Sequence, residues 1–305
     1  MEKIIFMGMV MLFCSMSWAS DFSSFFEAAL QRKLNISEEQ IERGQRFSWV
    51  FVTGFFNEGA GWPVSWPMSW MMRYFGDHRD RLKNYVSGEE IYILRPSSVN
   101  SIETNAGLLL QKLHAIYEKD HKKMVIIAHS KGSPEILKMI ANEPQETERM
   151  IEGVLSIQAA FGSQVADFVM WGKGDRKFLE YSPFGIEGLK SLTTRDADRI
   201  FSKDVTQVLA AQSIPIYFLR TSQKMDGGSN TISLSILGFF KYLSSYGEND
   251  GLVTVERQKL EGVGIDLGIM NADHVDTILA PPSSNTPSSF RTALMDAIFA
   301  YVMTR

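Results

Sequence analysis

Among the residues able to do chemistry, Ser130 has the most telling surroundings. It lies in Ala128-His129-Ser130-Lys131-Gly132, directly after the apolar run Met124–Ala128. Ser133-Pro134-Glu135 then opens a pattern that puts Ile136, Leu137 and Ile140 on one face. A short apolar run rich in β-branched residues reads as a strand buried on both faces, and proline suits the first turn of a helix. A serine on so tight a turn, with small residues two before and two after it, has its hydroxyl pushed out above the sheet. That is the setting of a nucleophile for acyl transfer. The alternative is an ordinary strand–helix turn, where Ser and Gly are both common.

A serine hydroxyl is a weak nucleophile and needs a base. Of the five histidines, His129 leaves the tight turn in another direction, and His114 and His121 lie in or after the preceding helix. His78 sits in a charged segment, Asp77-His78-Arg79-Asp80. These read as ordinary surface or partly buried imidazoles. His274 follows the last expected strand, where a late loop can return over Ser130. An acid must then orient the imidazole, in the chain order serine, acid, histidine. Asp250, at the tip of the turn Glu248–Val253, is favoured over Asp226, Glu248 and Asp276, although Asn-Asp-Gly is also simply a good turn sequence. The tetrahedral oxyanion needs two donors. The Lys131 backbone N–H supplies one, and the loop Thr53-Gly54-Phe55 offers the Phe55 N–H, with the Phe56 N–H as the alternative.

The elements that position these residues alternate. Phe47–Val52, Ile91–Leu94, Met124–Ala128, Gly153–Ile157 and Ile214–Leu219 read as strands, with Leu252–Val255 and Ile265–Met270 as later edge strands. Helical patterns lie within 21–43, from Ser101 to about Lys119, after Ser130, and up to about Gln212. An amphipathic helix closes the chain from Ser288 to Met303. The βα rhythm breaks between Gly162 and Lys203, and an insertion that long is usually a cap or lid. Trp62, Trp66 and Trp70 recur four apart in a Pro- and Met-rich stretch. Pro63 and Pro67 oppose a helix there, so irregular backbone is expected to about Ser69 and a short helix from there to Phe75. Phe56, Trp62 and Trp66 could wall a site for an apolar substrate, or equally bury themselves on the core.

A chain of 305 residues with 45% hydrophobic and 22% charged residues can bury a full core, and disorder is excluded as a main theme. A net charge of -4 gives no reason to expect nucleic acid or an anionic membrane. Residues 1–20 read as a signal peptide: Lys3, an apolar run from Ile4 to Phe13, then the small-x-small pattern Ser17-Trp18-Ala19. The mature chain would begin near residue 21 and be exported, to the periplasm or the medium. Cys14 is the sole cysteine, so the exported chain would hold no disulfide.

Thr53-Gly54-Phe55, Ala128–Gly132, Phe161–Asp167, Asn249–Val253 and Asp273–Asp276, in that order, resemble the α/β-hydrolase superfamily, and within it secreted bacterial lipases and esterases. The resemblance implies a doubly wound, mostly parallel sheet in one domain over 21–305, with Ser130, Asp250 and His274 as a catalytic triad. It also implies a mobile lid after the strand ending near Ile157, within 162–203. Two departures stand out: Thr53 replaces the usual His at the end of the first strand, and Ala128 replaces Gly in the turn. Some lipases of this kind bind structural calcium through an Asp two after the histidine, and Asp276 holds that place, although no second carboxylate partner stands out. The activity implied is a serine carboxylic-ester hydrolase, a lipase or esterase acting on a lipid or other apolar ester. A thioesterase or amidase of the same fold, or a non-catalytic binding module, are the alternatives. Transient contact with a lipid interface is expected, with no organic cofactor and no obligate protein partner.

Overall fold

The computed structural model describes residues 21–55, 73–172, 186–223, 239–279 and 286–305. The expected signal peptide and the Trp/Met stretch with Phe56, Trp62 and Trp66 lie outside them. Six strands form one sheet: β1 (Ser48–Val52), β2 (Ile91–Leu94), β3 (Met124–His129), β4 (Ile151–Ile157), β5 (Ile216–Ser222) and β6 (Ile265–Asn271). Their order is β2-β1-β3-β4-β5-β6, and every neighbouring pair is parallel.

Parallel strands need crossover helices, which cover both faces and make the central strands apolar throughout. The period-2 alternation then sorts each strand's side chains between two cores. Val50, Val52, Ile126, Ala128 and Val154 face the helices Ile102–Asp120, Gly132–Asn142 and Lys203–Ala210. Trp49, Phe51, Val125, Ile127 and Leu155 face the other side, against the helix over 21–30 and the C-terminal helix Ser288–Thr304. From β1 the chain steps outward to β2, then crosses back to β3 and continues the other way. The loops leaving β1 and β3 therefore part at a topological switch point, where open α/β sheets form their crevice.

Several elements differ from expectation. Residues 73–75, the described end of the short helix expected to Phe75, are loop and turn, and helix begins only at Gly76. Leu252–Val255 is not a strand: it is a turn with one antiparallel bridge, Asn249 to Thr254, leading into a short 3-10 segment Val255–Gln258. The Asp250 carboxylate takes the Leu252 and Val253 amides that a strand would have used in its ladder. The charged stretch Gly76–Leu82, which has no apolar periodicity, is helical. Ion pairs hold it to the C-terminal helix, Arg81 to Asp296 at 2.6 Å and Asp77 to Arg291 at 2.7 Å. The C-terminal helix itself is buried nearly all round rather than amphipathic. The first helix covers its outer face, with Phe22 edge-on to Tyr301 at 5.5 Å, while Trp49 stacks on Phe299 from the sheet side.

His78 lies fully buried between Phe51 and Phe75, and among the described residues neither ring nitrogen has a hydrogen-bond partner. Burial first, then the nearby Arg291 charge, pushes its pKa down from 6.5 to about 3, against a smaller opposing pull from Asp77. The unfolded chain thus binds a proton that the native chain refuses. This part of the stability is complete above about pH 6.5 and is lost as the pH falls towards about 3. In urea titrations across that range, His78→Leu is expected to flatten the acid decline by up to about 1.4 kcal/mol per pH unit. An unchanged slope would show that His78 does not drive it.

Candidate active site

Ser130 follows β3 with φ of +52°, a left-handed backbone that costs a non-glycine residue about 1 kcal/mol and survives only where the surroundings fix it. They do so here. The Ser130 N–H donates to the Ile157 carbonyl at 3.1 Å, and the Ser130 carbonyl accepts from Ser133 at 3.1 Å and Ala160 at 3.3 Å. Two glycines allow the turn to nest against the end of β1. A Cβ on Gly132 would lie 2.7 Å from the Thr53 oxygen, and one on Gly54 would lie 2.6 Å from the Ser130 Cβ. The helix Gly132–Asn142 therefore starts directly beneath the serine.

His274 and Asp250 reach this point from the far end of the sheet. The acid turn follows β5, His274 follows β6, and the His274 N–H binds the Asp250 carbonyl at 2.9 Å. The side chains meet in line: Asp250 Oδ2 to His274 Nδ1 at 2.7 Å, and His274 Nε2 to Ser130 Oγ at 2.8 Å. A carboxylate can only accept, so Nδ1 carries the proton and Nε2 of the neutral ring accepts from the serine hydroxyl. Asp250 is fully buried. Its charge is met by N–H groups of Leu252 at 3.0 Å and Val253 at 2.8 Å on Oδ1, and by Gln258 Nε2 at 3.1 Å on Oδ2.

The two expected oxyanion donors flank the serine. The Lys131 amide opens the elbow helix, where the first N–H groups have no intrahelical acceptor. Phe55 follows Gly54 at the end of β1, its ring 5.7 Å from the Lys131 ammonium. The Lys131 side chain is itself buried, which sequence reading missed. It pairs with Glu135 at 3.1 Å and donates to the Asn100 and Ser97 carbonyls at 2.6 and 3.3 Å. The i,i+4 Lys–Glu spacing was the available signal.

No protein-family model matches the sequence, and no curated protein matches it. Similarity appears among solved structures. A metagenomic carboxyl esterase superposes with a TM-score of 0.64 at 22% identity, over 88% of this chain and 77% of its own. The lipase BlEst2 of Bacillus licheniformis in its mature form gives 0.54 at 19% identity, over 75% of this chain and 85% of its own. Phospholipase PlaB of Legionella pneumophila, in complex with thio-NAD, gives 0.50 at 17%, over 70% of this chain and 44% of its own. The chain has the α/β-hydrolase fold.

Within this hydrolase fold the stretch 162–203 is described except for residues 173–185. Its described helices are pinned to the site's loops: Ser163 Oγ donates to the Leu252 carbonyl at 2.6 Å, and the Gly188 N–H to that of Val99 at 3.0 Å. Asp276 lies beside the site, buried, and takes protein donors. Its carboxylate accepts from the Asp273 N–H at 3.3 Å and the Thr286 hydroxyl at 3.2 Å, and its carbonyl accepts from Arg291 Nη1 at 3.4 Å. Among the described residues, no group of three or more His, Cys, Asp or Glu is arranged to hold a metal. Asp276→Asn is therefore expected to lower stability by about 1–3 kcal/mol in thermal melts, with EDTA leaving the wild-type melt unchanged. A wild-type Tm that falls on chelation would instead assign the carboxylate to a metal.

Proposed function

We propose that the chain is a serine hydrolase of carboxylic esters. The observation that carries this is the continuous Ser130–His274–Asp250 relay, seated at the switch point of a parallel sheet. Ser130 Oγ attacks the ester carbonyl carbon while His274 Nε2 takes the hydroxyl proton, and Asp250 stabilises the resulting imidazolium. The Lys131 and Phe55 N–H groups receive the oxyanion. The tetrahedral species collapses, the alcohol leaves with the proton from His274, and an acyl-enzyme remains. Water, activated by the same histidine, then releases the acid.

The substrate we infer is a lipid or other apolar acyl ester, as for a lipase or esterase, with Phe56, Trp62 and Trp66 as an apolar wall. Support for that choice comes from the Trp- and Met-rich composition of 56–72, and from solved structures of this fold described as a carboxyl esterase and a lipase. The leader-like residues 1–20 support export to the periplasm or the medium. The same relay would serve any acyl transfer, so thioesters and amides belong in the same assay.

A panel of p-nitrophenyl esters from acetate to palmitate, an emulsified triglyceride, an acyl thioester and an anilide tests the reading, with a fluorophosphonate probe reporting on Ser130. Wild type is expected to hydrolyse the esters and take the label, and Ser130→Ala to do neither while keeping its melting temperature. Asp250→Asn presents an amide N–H where an acceptor is needed, and is expected to lose up to ~10⁴-fold in turnover. A Ser130→Ala protein within tenfold of wild type would remove the nucleophile from the scheme.

A further inference from the structure

His129, the histidine next to the nucleophile, is fully buried behind the relay, and its hydrogen bonds can be assigned in one sense only. The Tyr74 hydroxyl oxygen accepts the Gly54 N–H at 2.8 Å, and the same hydroxyl stands 2.6 Å from His129 Nδ1. His129 Nε2 faces two acceptors, the His274 carbonyl and Gln158 Oε1, each at 3.0 Å. Facing two oxygens, Nε2 must carry a proton. Nδ1 of the neutral ring then accepts, so the tyrosine donates to it.

The Gln158 amide is oriented independently. Its Nε2 donates to the Asp273 carbonyl at 2.6 Å and to Thr221 Oγ1 at 2.5 Å, leaving Oε1 to accept from Thr277 Oγ1 and from His129. Burial holds the His129 pKa well below the usual imidazole value, with the nearby His274 adding to the effect, so the ring stays neutral. Burial also raises the Tyr74 pKa, which keeps its hydroxyl protonated. One directed chain results, from the Gly54 N–H through Tyr74 and His129 to the His274 carbonyl.

The two ends of this chain are two parts of the site that the reaction must hold in register. Gly54 precedes Phe55, whose N–H is assigned to the oxyanion, and His274 is the base. Otherwise they belong to loops leaving β1 and β6, at opposite sides of the crevice. We propose that Tyr74 and His129 are positioning residues, a neutral imidazole fixed as its Nε2–H tautomer and clamping the oxyanion loop to the loop of the catalytic base. This rests on the ester-hydrolase reading for its consequence, though not for its geometry. Both side chains are buried behind the relay, so their loss alters the alignment of the transition state rather than substrate binding. A shift near 1 Å in such groups can cost about a hundredfold.

Two measurements test it. In Tyr74→Phe, kcat is expected to fall roughly 10- to 100-fold with KM within about twofold, and fluorophosphonate labelling to slow in step. His129→Asn keeps an acceptor where Nδ1 stood but cannot reach the His274 carbonyl, so it too should lower kcat. The double variant should cost little more than the worse single one, because both break the same chain. Tyr74→Phe within about twofold of wild-type kcat, or fully additive losses, overturns the clamp. Independently of activity, ¹⁵N-histidine spectra of the Ser130→Ala protein, assigned through the signal lost in His129→Asn, should show His129 as a neutral Nε2–H ring from about pH 5 to about pH 9. A ring that titrates in that range, or an Nδ1–H tautomer, overturns the clamp even in an active enzyme. A wild-type protein that neither turns over esters nor takes the phosphonate overturns the hydrolase reading instead, and leaves the ring signature to decide the clamp.

Discussion

Burying the Asp250 carboxylate is the constraint on which the rest of the site depends. An isolated charge there would cost several kcal/mol, so the protein must surround it with donors before the site can exist. Those donors come from separate parts of the chain: two amides of its own turn, Gln258 in the 3-10 segment, His274 after β6, and the Thr221 hydroxyl near the end of β5, at 3.4 Å. The acid turn can therefore reach its final form only when β5 and β6 are paired. Thr221 also accepts from Gln158 at 2.5 Å, so its own proton is directed at Asp250. Through that one hydroxyl, the environment of the acid is continuous with the network around His129. Networks of this kind are valuable when every member is satisfied and costly when one is missing, which ties the geometry of both loops to a single set of bonds.

The fold was legible because its signals are local. The apolar runs of β1 to β4 have only one economical use, burial in a parallel sheet, and the tight turn at Ser130 needs small neighbours that can be read directly. The residues aligned with Ser130 were legible through order: a turn carboxylate and then a late histidine. What escaped reading depends on contacts distant in sequence. Gly76–Leu82 has no apolar face of its own and is helical because Asp77 and Arg81 meet partners more than two hundred residues away. Leu252–Val255 has strand-like composition, but its first two amides are claimed by Asp250. The C-terminal helix seemed amphipathic because nothing local reveals that Phe22 and its neighbours cover the outer face.

His129 illustrates the same limit from the other side. Its position next to the serine was plain, and its side chain does leave the turn in another direction, as the tightness of the turn requires. Tyr74 carries no motif, and Gln158 is one polar residue after an apolar strand. Gln158 nevertheless has φ of +50°, a strained backbone at the end of β4, and from there its amide meets Thr221, Thr277, Asp273 and His129. Such strain is tolerated where the surroundings over-determine it, and it recurs here at Ser130, at the corresponding end of β3.

The buried Lys131–Glu135 pair extends this logic to the opposite wall of the crevice. Replaced by apolar residues, such a pair often leaves stability unchanged or improved, so its presence argues for what it positions rather than for what it stabilises. Glu135 also accepts from Asn105 at 2.6 Å, and Asn105 donates to the Ser97 carbonyl at 2.7 Å. Lys131 reaches Ser97 and Asn100 from the elbow itself. The loop after β2 is thus fastened to the helix that begins under Ser130, and Val99 in that loop accepts the Gly188 N–H of the short helix Ile186–Lys190. The helix Gln164–Trp171 is fastened through its Ser163 hydroxyl to Leu252, whose own N–H binds Asp250. These two helices are therefore each fastened to a loop that already holds the acid or the nucleophile's helix.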